Sequence, residues 1–139
     1  AKEMGAHYTI NPEKEDAINN IMALTQQRGV DCAIEAVGIE PTWNICQSII
    51  KEGGNLANVG VHGKPVKFSI EKLWSKNMTI TTGLVNTNTI GLLMSNCCSG
   101  RLQTEKLVTH HFKFNAIEKA YDVFKHAANE KAIKVIIEF

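Results

Sequence analysis

From Val30 to Val37 the chain is apolar at nearly every position, interrupted by Asp31 and Glu35 and closed by Gly38. A short run of that kind predicts a strand of a parallel sheet covered on both faces, because an antiparallel strand with one wet face would alternate instead. A parallel neighbour requires a crossover, and the sequence supplies one at once. Pro41 stands near a helix start, and Trp43, Ile45, Cys46, Ile49 and Ile50 recur at the helical period before Gly53-Gly54 ends the pattern. Leu56 to Val61 then reads as the next strand.

The same alternation extends in both directions. Ala1 to Gly5 resembles the last turn of a helix with no N-cap before it, which predicts that the true beginning lies upstream. Ala6 to Ile10 reads as a brief strand halted by Asn11-Pro12. Glu13 to Gln27 reads as a helix with Ala17, Ile18, Ile21, Met22 and Leu24 on one face, acids in its first turn and Arg28-Gly29 at its end.

Beyond the second strand, Pro65 to Asn77 predicts a loop and a short helical turn anchored by Phe68, Ile70, Leu73 and Trp74, and Met78 to Leu84 a third strand. Thr89 to Ser99 is helical by spacing, with Gly100 as its stop. Leu107 to Phe114 alternates like a strand. Asn115 with Glu118 resembles a capping box ahead of a helical face at Ile117, Ala120, Tyr121, Phe124 and Ala128, and Ile133 to Phe139 is a β-branched strand. Strand and helix in strict alternation predict an α/β fold, a parallel sheet wrapped by helices.

Composition removes several function classes. The 139 residues carry 15 Lys and Arg against 14 Asp and Glu, with no run of like charges, so neither a nucleic-acid stripe nor a membrane patch is expected. No stretch of about twenty apolar residues occurs, and the first residues lack a signal peptide's basic start, so the expected compartment is the cytoplasm. Cys32, Cys46, Cys97 and Cys98 form no C-x-x-C pair and have no His at ligand spacing, so the thiols are expected to be reduced and no metal site is expected.

A ligand of an open parallel sheet lies outside the carboxyl ends of its strands. Those ends are Val37-Gly38-Ile39, Val59-Gly60-Val61 and Gly83-Leu84-Val85, each combining a glycine with apolar residues that could face a flat ring. The glycines could equally serve tight strand-to-helix turns. The dinucleotide fingerprint G-x-G-x-x-G is absent, and Gly60-Val61-His62-Gly63 is too short to replace it.

More specific are the runs AKEMGAHYTIN (1–11), GVDCAIEAVG (29–38), GGNLANVGVHG (53–63), LWSKNMTITTGL (73–84) and LVTH (107–110), followed by residues 120–139. In that order they resemble zinc-dependent alcohol dehydrogenases of the medium-chain dehydrogenase/reductase family, over essentially the whole chain. The resemblance implies a partial Rossmann-like doubly wound sheet lacking its first two strands. Residues 1–106 would be the C-terminal portion of the NAD(P)-binding domain, and residues 107–139 a segment returning to the catalytic domain.

By the same resemblance, Val37, Gly38 and Ile39 flank the adenosine side of NAD or NADP, while Val59, Gly60 and Val61 contact the nicotinamide and its ribose. Gly83 and Val85 offer backbone groups to the carboxamide, and Val61 and Leu84 border a small alcohol, ketone or aldehyde substrate. Lys134 stands where many members place an arginine against the pyrophosphate, keeping the charge but losing the bidentate fork. The family's zinc ligands, proton relay and glycine fingerprint would lie upstream of Ala1, leaving no catalytic residue in this chain, and His62, His110, His111 and His126 are not expected to substitute. A homo-oligomer is implied, with subunit contact near Trp74 to Leu84. A zinc-free quinone reductase of the same superfamily and a non-catalytic α/β interaction module are the alternatives.

Overall fold

The computed structural model describes residues 1–84 and 86–139. They form two compact units, Ala1–Val85 and Asn86–Phe139. In the first unit, helix α1 (Ala17–Leu24) precedes strand β1 (Val30–Glu35), helix α2 (Glu40–Ile49), strand β2 (Ile50–Asn58), a single helical turn α3 (Ile70–Leu73) and strand β3 (Thr79–Thr82). The three strands are parallel and lie in the order β1-β2-β3. A sheet that grows outward one strand at a time, each step through a crossover, matches the 4-5-6 half of a doubly wound sheet.

The core of this unit is the face of the sheet that α2 covers. Ala33 from β1, Ile50 and Leu56 from β2, Trp43 and Cys46 from α2, and Leu73 from α3 pack together, and Leu56 is 0% exposed. Buried Gln47 ties the following loop to α2. Its side-chain amide donates to Lys67 O at 3.1 Å and its Oε1 accepts from Ser69 N at 2.9 Å, while Trp43 Nε1 also donates to Lys67 O at 3.0 Å. Two indole and amide donors on one carbonyl satisfy polar groups that burial would otherwise leave costly.

Several sequence expectations are corrected here. β1 is covered on one face only: Ala33 and Glu35 are buried, whereas Ile34 between them is 67% exposed. Among the described residues no strand forms at Ala6 to Ile10, because no neighbouring strand offers it a ladder. α1 carries the whole of its apolar pattern but is shorter than the expected Glu13 to Gln27. Asp16 caps it by accepting from Asn19 N at 3.0 Å, and Gln26 and Gln27 turn out of it with φ of 54° and 63°. α2 stops at Ile49 and β2 starts at Ile50, so the Gly53-Gly54 pair lies within a strand, where the β1 register shifts between Val30 and Cys32.

The second unit contains helix α4 (Ile90–Cys98), strand β4 (Val108–Lys113), helix α5 (Ile117–Lys125), the turn α6 (Ala127–Glu130) and strand β5 (Lys134–Glu138). β4 and β5 pair in parallel, and α5 crosses between them, burying Ala120 and Val123. The expected capping box does not form: Asn115 lies in a 3-10 turn and Ala116 occupies the cap position without a side-chain hydrogen bond. The helical face anticipated as far as Ala128 breaks at His126, which separates α5 from α6.

Candidate functional site at the strand ends

All three strands of the first unit end just before the segments singled out in the sequence. Val37-Gly38-Ile39 follows β1 by one residue, Val59-Gly60-Val61 follows β2 directly, and Gly83-Leu84 follows β3 directly. Val85 lies outside the described residues. Lys134 opens β5 of the second unit, with its side chain exposed and its carbonyl accepting from Thr109 Oγ1 at 3.2 Å.

The first two segments are locked together by backbone contact. Gly38 has φ of 87° and is buried, and a side chain there would sit 2.6 Å from the Val61 carbonyl carbon. Gly60 meets Gly38 in the same way: a Cβ on it would lie 2.9 Å from Gly38 Cα and collide with Glu35 Oε2. Only glycine allows both the left-handed conformation at the first site and the close approach at the second. The neighbouring apolar side chains remain open to solvent, Val37 at 61%, Val59 at 56% and Val61 at 82% exposed.

Glu35, the charge that interrupts the apolar run of β1, holds this arrangement. Its side chain is buried at the end of β1. Oε1 accepts from Val37 N at 3.1 Å, from Gly38 N at 2.9 Å and from Thr42 Oγ1 at 2.6 Å. Oε2 accepts from Gly38 N at 3.1 Å and faces His62 Nε2 at 3.4 Å. Its main-chain carbonyl accepts from Val59 N at 2.8 Å and Gly60 N at 3.0 Å. Burial alone would push the carboxyl up. The bonds from Thr42, Gly38 and Val37, with His62 adding a smaller electrostatic contribution, outweigh it and hold the group below the ordinary glutamate value. The same burial pushes the Cys46 thiol up, and the negative charge of Glu35 adds to it, so Cys46 is a neutral core thiol.

His62 completes the cluster. Its Nε2 lies 2.8 Å from Asn58 Oδ1, its ring meets Trp43 edge-on at 6.1 Å, and its buried Nδ1 has no hydrogen-bond partner among the described residues. Beside Gly38 and Ile39 a cleft of about 390 Å³ opens, lined also by Glu40, Gly63, Lys64 and Val66. That volume falls in the range of small-ligand clefts. The sequence signal for Glu35 was present, since a carboxylate inside an otherwise apolar strand needs partners, but nothing local identified Thr42 and His62 as those partners.

The strand ends thus present exposed apolar side chains beside a small cleft. A metal is a different matter: among the described residues no three His, Cys, Asp or Glu side chains converge. Also among the described residues, no helix is long and apolar enough to cross a membrane.

Comparison with known proteins identifies the family. The family model for zinc-binding dehydrogenase matches residues 1–97. An alcohol dehydrogenase of Cupriavidus necator is 31% identical over 99% of this chain and 38% of its own length, and the NADP-dependent isopropanol dehydrogenase of Thermoanaerobacter brockii is 33% identical over 99% and 41%. Among solved structures, the zinc-dependent alcohol dehydrogenase 2 from Streptococcus pneumonia matches with a TM-score of 0.88 and 54% identity, over 96% of this chain and 39% of that one. The chain thus spans about two fifths of the length of the relatives it matches. The expected α/β, Rossmann-like fold is the fold of these neighbours. With its strand order, its glycine-locked strand ends and this match, the chain belongs to the zinc-binding dehydrogenase family.

Proposed function

We propose that this chain supplies the nicotinamide-cofactor platform of an NAD- or NADP-dependent alcohol dehydrogenase that interconverts small alcohols with ketones or aldehydes. The observation that carries the reading is the locking of Val37-Gly38-Ile39 onto Val59-Gly60-Val61 at the carboxyl ends of adjacent parallel strands. Ile39 and the adjoining cleft take the adenosine side. Val59 and Val61 wall the nicotinamide and its ribose, Gly83 and Val85 present backbone groups to the carboxamide, and Lys134 offers a cation to the pyrophosphate. Leu84, with Val61, limits the substrate cavity by an aliphatic wall.

These residues bind, orient and keep water from the ring, and none of them exchanges a proton with substrate. In this reading the zinc ligands lie outside this chain, and zinc bound there would polarise the alcohol oxygen. Residues 1–106 then belong to the cofactor domain and residues 107–139 to the return toward the catalytic domain. The whole protein would be a cytoplasmic homo-oligomer, with Trp74 to Leu84 near the subunit contact.

The test is a titration of NADH and of NADPH into the full-length protein, followed by nucleotide fluorescence. Saturable binding of one or both is expected. Val61→Asp, at an exposed position, should weaken it about tenfold without lowering the melting temperature. Absence of binding of either nucleotide would refute the reading.

A further inference from the structure

Two of the proposed contact segments, Val37–Ile39 and Val59–Val61, come from different strands, and a ligand spanning them requires a fixed distance between them. Backbone packing alone sets how closely Gly38 and Gly60 can approach. It does not set the direction of the turn that leaves β1. Ile39 O, at the far end of the turn, accepts from Thr42 Oγ1 at 3.0 Å and from Trp43 N at 3.1 Å, and the restraints at its start converge on one side chain. The Glu35 carboxylate accepts from the main-chain N–H groups of Val37 and Gly38 and from Thr42 Oγ1 in the first turn of α2. Its own backbone carbonyl accepts from Val59 and Gly60.

We infer that Glu35 is the positioning residue of the cofactor site: its buried carboxylate orients the Val37–Ile39 turn against the Val59–Val61 strand end, and Thr42 bonds that carboxylate from the first turn of α2 while His62 packs beside it. This rests on the cofactor reading above.

Glu35 cannot itself touch a cofactor, since its side chain is 0% exposed. Its effect must pass through the conformation of the turn whose Val37 and Gly38 N–H groups it accepts. A charged acceptor is suited to this role, because hydrogen bonds to an ionised group are shorter and stronger than neutral ones and tolerate less angular drift. Thr42 contributes the shortest of them at 2.6 Å. His62 closes the other side, its ring kept in place by Asn58 and by the edge of Trp43. The cluster thereby joins the end of β1, the start of α2 and the end of β2, and any substrate-facing geometry built on those three elements inherits its precision from Glu35.

The experiment uses the full-length protein and the variants Glu35→Gln and Thr42→Val, with melting temperature, NADH affinity by fluorescence, and steady-state kinetics on a small secondary alcohol measured for each. Thr42→Val is the milder change and guards against a Glu35→Gln protein that fails to fold. The expected result is a loss of cofactor affinity of about tenfold for Glu35→Gln and about threefold for Thr42→Val. The KM for cofactor rises in step while kcat per folded site stays within about twofold, since no reacting atom is touched. Glu35→Asp, which keeps the charge on a shorter stem, should recover part of the affinity lost in Glu35→Gln.

Unchanged cofactor affinity in folded Glu35→Gln and Thr42→Val, beside normal binding by the parent, would overturn the positioning role and leave the cofactor reading standing. Kcat falling in proportion to the folded fraction with KM unmoved would also overturn it, by showing a purely structural carboxylate. A parent protein that binds neither NADH nor NADPH would overturn both together.

Discussion

The two units use the same α/β vocabulary and differ in how much of it they bury. The first unit closes its sheet against α2, with Leu56 fully covered and Glu35 fully satisfied beneath the strand ends. The second has a two-stranded sheet and one covering helix, with Ala120 and Val123 as its buried apolar side chains among the described residues, while Tyr121, Phe124 and Phe139 stay open. A pair of strands with one helix lacks the area to enclose a core, whereas three strands with a full-length crossover helix suffice for one. The lesson is that periodicity identifies the apolar positions of both units equally well, but enclosure depends on how many elements share the face.

The sharpest way to break this contrast is to cut into each core. Leu56→Ala should destabilise the first unit by about 3 kcal/mol, because a fully covered leucine leaves a cavity that β2 cannot collapse into. Val123→Ala in the second unit should cost about 1 kcal/mol, as the helix rests on a thin and open layer. Amide hydrogen exchange on the full-length protein reads both, and equal losses in the two units would remove the distinction.

Acid separates the units next. The Glu35 carboxyl lies below the ordinary glutamate value of 4.5 when folded, so its contribution is fully present above that pH and is lost as pH falls through the folded value. The urea midpoint of unfolding reported by the first unit should therefore fall below pH 4.5, and Glu35→Gln should flatten that dependence. A second unit that titrated identically would show the effect to be global.

The smallest expected effect concerns the second unit's one proposed contact. Lys134→Arg restores a bidentate fork and should tighten NADH or NADPH about threefold, while Lys134→Ala loosens it by a similar factor. A null result for both, measured by the same fluorescence titration, would remove Lys134 from the site.

Much of the fold was legible in the residues because strand and helix here obey their own periods. Val30 to Glu35 and the Trp43, Cys46, Ile49 stripe announce a strand and its crossover, and Pro41 marks the helix start. The boundaries failed where a local device outweighed the pattern. Asp16 capped α1 late, Ile50 left α2 early to join β2, and Ala6 to Ile10 found no partner to make it a strand. At the site, the strand-end glycines were visible as glycines, and the structure adds that Gly38 and Gly60 touch. Glu35 was visible as a charge in the wrong place. Its partners Thr42 and His62 lie 7 and 27 positions away and come together only when α2 and β2 fold onto β1, information that no spacing within one element contains.

Whether the ends of β1 and β2 form the cofactor platform is decided by a crystal structure of the full-length protein with bound NADH or NADPH. The expected structure has the dinucleotide laid across Gly38 and Gly60, with its nicotinamide beside Val59 and Val61 and Glu35 still holding the Val37 and Gly38 amides beneath it. A dinucleotide bound away from both strand ends, with Val59 and Val61 left bare, would contradict it.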